Sequence, residues 1–257
     1  MILTPICPDD LAGALDRFCI GLDDAASRRV FQEIRATSPD RVEGPEAERH
    51  RLAALALARN CGMAVHPPGA QCVFNWDGAA LNGETEAYVI LHEIAHFVLA
   101  PPERRRLVDF GLGPGPDTID RDAAERAALL LPLARAEEEA EASLLGIVWE
   151  ARLDQPALAS FLDQNWLEGL ARSAAGHFSN VVAGLRRREL LGPLPQSAAG
   201  VSDVSATLTR PRGKSARGRG AAGHPDGRAR STGIQRHAVP AMPIAEELPK
   251  PLSAPRR

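Results

Sequence analysis

Residues 90–100 read ILHEIAHFVLA, and this stretch decides how the rest of the chain is read. Ile90, Ile94, Phe97 and Val98 give an apolar helix that the sequence predicts from about Thr85 to Leu99, stopped by Pro101 and Pro102. His92, Glu93 and His96 stand in the spacing HExxH. Residues four apart on a helix lie one above the other, so His92 and His96 project from one face at a separation that a single cation bridges. Glu93 is rotated by one position, to where a base facing a metal-bound water sits. The apolar flanks half-bury both imidazoles, and buried imidazoles need a partner. The pattern ordinarily marks a metallopeptidase, so the chemistry depends on what completes the site.

A third protein ligand is required, and the HExxHxxGxxH extension fails because position 99 is Leu and position 102 is Pro. The candidates are Asp109 and the acidic run Glu137, Glu138, Glu139 and Glu141. At about 100° per residue, Leu144, Leu145, Ile147 and Val148 mark an apolar face that includes Glu141, with Glu137 one turn earlier. Glu139 falls on the opposite side and Glu138 at the margin. A lone carboxylate on a buried face is costly unless neutralised or bound to a cation, so Glu141 is the expected third ligand and Glu137 the reserve. Two histidines and a carboxylate leave open positions, where zinc would activate water and iron(II) would activate dioxygen. The spacing does not choose between these metals.

Around this core, helices are expected over residues 9–19, 24–36, 45–60, 122–131, 134–153 and 176–191, several with capping acids or a first-turn proline. AQCVFNWDG, residues 70–78, is the best strand candidate, and GLGPGPDT, residues 111–118, is a loop by composition. The expected fold class is α+β, a mostly helical single domain with a zincin-like metal helix packed on a small sheet. Its expected boundary falls at residue 195. Residues 196–257 turn to Arg, Gly, Ala, Ser and Pro without apolar periodicity, and are expected to be a disordered tail.

The 257 residues are 44 % hydrophobic, enough for a core of substantial size. Residues 201–257 hold 11 Lys or Arg against 4 Asp or Glu, so a chain of net charge −3 carries −10 on residues 1–200. An acidic body argues against a nucleic-acid-binding core, although the basic tail could weakly touch nucleic acid or an acidic partner. Cys7, Cys19, Cys61 and Cys72 lack paired zinc spacing and read as small core residues. The N-terminus has no basic region before an apolar run, and no window approaches the roughly 20 apolar residues that span a bilayer. A cytoplasmic protein without a membrane partner is the expectation.

The run LHEIAHFVLAPPERRRLVDFG, residues 91–111, resembles the elongation factor P hydroxylase family, in which an HExSH motif precedes an apolar stretch, an Arg-Arg pair and Leu-Val-Asp-Phe-Gly. Here those are His92, Glu93, His96, Arg104, Arg105 and Leu107 to Gly111, matched without a gap. EEEAEASLLGIVWEA and QNWLEG are similar to the family's second acidic segment and its Asn-Leu-Glu-Gly element. Placing Trp149 on the family's tryptophan puts Glu141 on its ligand glutamate. LGPGPDT stands where the family has an aromatic, proline and glycine-rich element, and the N-terminal third and the tail match little. The resemblance implies hydroxylation of the β-lysylated lysine of translation elongation factor P with bound iron and dioxygen. By that implication His92, His96 and Glu141 hold the metal, Glu93 orients a water or the oxygen site, and Asp109 with Arg104 or Arg105 fixes the adjoining loop. The alternative is a zinc metallopeptidase of the HExxH-Glu, gluzincin-like type, with Glu93 as general base.

Overall fold

A computed structural model describes residue 6 and residues 8–115, 118–167 and 174–196. The tail beyond residue 196, Cys7, and Glu168 and Gly169 of the QNWLEG element lie outside the described residues. The described chain is mostly helical: α1 Pro8–Ile20, α2 Ala25–Arg35, α3 Gly44–Asn60, α4 Ala87–Leu99, α5 Arg121–Ala127, α6 Pro132–Arg152, α7 Ala157–Asp163 and α8 Ala174–Arg187. Two-residue strands β1 (Ala64–Val65) and β2 (Ala80–Leu81) pair in parallel, Ala64 opposite Ala80 and Val65 opposite Leu81.

Local chemistry accounts for several boundaries. Asp24 caps α2 by accepting from the backbone N–H groups of Ala26 and Ser27 at 3.0 and 2.9 Å. Pro132, expected to interrupt two helices, stands in the first turn of α6, where its missing N–H costs nothing. ALASFLD forms α7, a helix its short length hid from periodicity. The expected strand at 70–78 does not form. Only Trp76 joins the ladder, as an isolated antiparallel bridge to Leu81, and the segment instead folds back as a loop.

The centre of the fold is α6, which packs on α4, α7, α8 and α2, while α4 also packs on α3. Every residue of α6 from Ala142 to Glu150 is buried, so this helix has apolar neighbours all round. On its far side Phe18, Phe31, Phe161 and Phe178 meet in a cluster of edge-on and tilted rings, with centroids 4.8–6.3 Å apart. The small sheet lies against α3; the main supports of α4 are therefore helices, where a sheet was expected beneath it. Among the described residues no helix is long and apolar enough to cross a membrane.

Candidate metal centre

Helix α4 presents His92 and His96 side by side, as their spacing requires, with the two Nε2 atoms 3.0 Å apart. The carboxylate that meets them is Glu139 of α6. Its Oε2 lies 3.5 Å from His92 Nε2 and 3.4 Å from His96 Nε2. These three donors form a closed triangle and are the residues that could hold a metal ion among those described. A cation about 2.1 Å from each donor spans edges of this length, so the donor set fits a divalent metal.

Glu141, the expected third ligand, is on another face. Its carboxylate pairs with Arg188 at 3.1 Å, and a Cβ added to Gly184 of α8 would come within 2.5 Å of Glu141 Oε1. Glu137, the reserve, is exposed. The expectation failed because Leu144, Leu145, Ile147 and Val148 do not mark the only buried face of α6. Glu141 shares the side that packs on α8, whereas Glu139 meets the α4 histidines and Gly146 meets the α4 backbone. The legible signal was Gly146, two turns after Glu139, where the absence of a side chain lets the α4 backbone approach.

The electrostatics centre on His96, which is only 3 % exposed. Burial opposes its charge, but the carboxylates of Glu139 and Glu138 outweigh burial and push its pKa up to about 10. Burial and the neighbouring positive charge of His96 push His92 down. Burial alone would raise Glu139, yet His96 and His92 hold it well below the ordinary carboxylate range. Glu93 keeps some solvent exposure, but the protein crowded around its carboxyl pushes its pKa up to about 8, with a hydrogen bond from Asn75 opposing.

The RRRLVDFG stretch closes one side of the centre. After α4 the chain makes two 3-10 turns, Arg104–Arg106 and Val108–Gly111. Asp109 and Phe110 both take left-handed backbone angles, with φ of 45° and 54°, a conformation uncommon for non-glycine residues and least expected of a bulky one such as Phe110. Here the Asp109 N–H donates to the Trp76 carbonyl at 3.0 Å, and Trp76 Nε1 donates to the Arg105 carbonyl at 2.9 Å. Gly78 allows this approach: it has φ of 91°, and a Cβ there would sit 2.6 Å from the Arg106 carbonyl oxygen. Phe110 is thereby stacked between Trp76 and His96, at 5.5 and 5.7 Å. Thr118 Oγ1 donates to Asp109 Oδ2 at 2.9 Å, and burial raises the Asp109 pKa against that hydrogen bond. Asp109 thus lines the surround of the centre and stands outside its donor triangle.

Cys19, Cys61 and Cys72 are free and half-buried, and none joins the centre. The chain matches no protein-family model, no curated protein and no solved structure at a significant level.

Proposed function

We propose that this chain is a metal-dependent hydroxylase acting on the β-lysylated lysine of translation elongation factor P. The observation that carries the reading is the convergence of His92, His96 and Glu139, a two-histidine, one-carboxylate donor set beside the ordered RRRLVDFG turn. Such a set suits iron(II), which supplies dioxygen activation at its open positions. In this reading His92 and His96 would be the donors through Nε2, His96 giving up the proton it carries in the metal-free protein, and Glu139 would supply the negative charge. Glu93, one position round the helix and hydrogen-bonded with Asn75, orients the oxygen-side ligand. The resemblance over residues 91–111 supports elongation factor P as the protein substrate and a cytoplasmic setting.

The second reading is a zinc metallopeptidase, favoured by the HExxH spacing itself, in which Glu93 is the general base and zinc polarises water. A zincin-like relation of α4 to a sheet belongs to this reading. One experiment separates the two. Protein purified without added metal is analysed for its metal. It is then incubated with lysylated elongation factor P, iron(II), dioxygen and a two-electron reductant, and the factor is weighed by mass spectrometry. A gain of one oxygen on the modified lysine, the second atom leaving as water, supports the hydroxylase. Bound zinc, cleaved peptide and no added oxygen overturn it.

A further inference from the structure

Two buried polar atoms next to the metal centre have no hydrogen-bond partner: Nδ1 of His96 and Oε1 of Glu138. They face each other at 3.6 Å. The far oxygen of Glu138 accepts from Arg104 Nη2, and Arg104, itself only 7 % exposed, donates through Nη1 to the Phe110 carbonyl at 3.1 Å. Phe110 in turn lies on the face of the His96 ring. His96 is therefore bounded on its Nδ1 edge by Glu138 and on one face by Phe110, and one buried arginine holds both.

We propose that Glu138 is a positioning residue for the metal centre, accepting a hydrogen bond from the Nδ1–H of His96 so that Nε2 keeps its lone pair directed at the cation, with Arg104 holding the carboxylate in place. The inference rests on the metal-binding reading. A neutral imidazole carries one proton on one of two nitrogens, and only the unprotonated nitrogen can be a ligand. Within this pocket Glu138 Oε1 is an acceptor with spare capacity facing Nδ1, and Nδ1 is a donor with nowhere else to go. Each satisfies the other on closing by a few tenths of an ångström. Carboxylates in this position fix the tautomer and ring orientation of a ligating histidine and raise its basicity. Arg104 is the first arginine of the RRRLVDFG stretch, so its link to Glu138 gives that stretch a direct connection to a proposed ligand.

The test uses the full chain and zinc as probe. Zinc affinity is measured against a competing chelator for the wild type, His92→Ala, Glu138→Gln and Glu138→Ala. The Nδ1–H resonance of His96 is followed by NMR in the zinc-loaded proteins. The expected result is a loss of about 10- to 100-fold in affinity for Glu138→Ala, a smaller loss for Glu138→Gln, and a His96 Nδ1–H that is protected in the wild type and exchanges rapidly in Glu138→Ala. If Glu138→Ala does not fold, the near-isosteric Glu138→Gln carries the comparison. Wild-type affinity retained within twofold, with Nδ1–H still protected, overturns the role of Glu138 alone. A wild type that takes up zinc no better than His92→Ala overturns the metal reading and this role with it.

Discussion

Gly146 of α6 lies against the backbone of His92 in α4: a Cβ at position 146 would come within 3.3 Å of both the His92 N and Cα. Since Glu139, two turns before Gly146, meets the α4 histidines, this contact sets the distance between the carboxylate and the histidines. In Gly146→Ala the better helix propensity, worth about 1 kcal/mol, opposes an overpacking cost of about 1–3 kcal/mol. Stability should then fall by at most about 2 kcal/mol, while the donor triangle opens and metal affinity drops. Gly146→Val has no such compensation and should lose both. Thermal unfolding of the metal-free proteins, paired with chelator-competition titrations, checks this. An unchanged affinity in a folded Gly146→Val protein would show that the helix spacing does not govern the site.

The two acidic candidates on α6 make opposite predictions. Glu139→Ala removes one of three donors and leaves two imidazoles, so metal affinity should fall by at least about 100-fold, beyond what loss of an outer partner produces. Glu141→Ala removes a partner of Arg188 that is more than half exposed, and should leave metal affinity within a few fold of the wild type. Isothermal titration with zinc and with manganese distinguishes them. The reverse ranking would place the third ligand at Glu141 and contradict the triangle of His92, His96 and Glu139.

The sequence carried the helical character, the two histidines and the need for an acid from the run at 137–141. What it did not carry was which acid. Amphipathic reasoning assumes one buried face, and α6 is buried from Ala142 to Glu150 on all sides; four leucine-class residues could define a face without saying which neighbour that face meets. The loop at 70–78 misled in a similar way. Its Val, Phe and Trp are β-formers, but the partner of Trp76 is the Asp109 turn, a contact between segments some thirty residues apart that no local pattern encodes. Asp109 tolerates the left-handed region better than most residues, but nothing in the chemistry of Phe110 prefers it; the Trp76 and Arg104 hydrogen bonds hold the pair there.

Metal removal should be visible in stability. The donors come from α4 and α6, the central helix pair, so a cation bound only by the folded chain adds about 2.7 kcal/mol at 100 times its dissociation constant. For a domain of this size that corresponds to a melting temperature about 5–10 °C higher. Adding a chelator to metal-loaded protein should reverse the rise, and His92→Ala should show neither the rise nor its reversal. A melting temperature that does not move while elemental analysis shows the metal to have left would mean that the ion is not held between these helices.

A separate test concerns Glu150, buried at the other end of α6 with 2 % exposure. Its carboxyl faces Ser160, whose hydroxyl lies 2.8 and 2.6 Å from the two oxygens, and Arg41 Nη1 donates to that same hydroxyl at 3.0 Å. Burial dominates and pushes the Glu150 pKa up to about 8, whereas in the unfolded chain it titrates near 4.3. Between about pH 4.5 and 8 the unfolded state therefore releases this proton while the folded state keeps it. The contribution of Glu150 to stability thus falls as pH rises through that window, by up to about 1.4 kcal/mol per pH unit, and levels off above it. Carboxylates held low, such as Asp24, change stability in the opposite sense, so the quantity to measure is the difference between wild type and variant. Glu150→Gln keeps an oxygen for the Ser160 hydroxyl and cannot ionise. It should equal the wild type near pH 4.5 and exceed it by a few kcal/mol at pH 8, as read from urea unfolding across that range. Parallel pH profiles for the two proteins would show that Glu150 is ionised in the folded state, with Ser160 and Arg41 together sufficient to carry its charge.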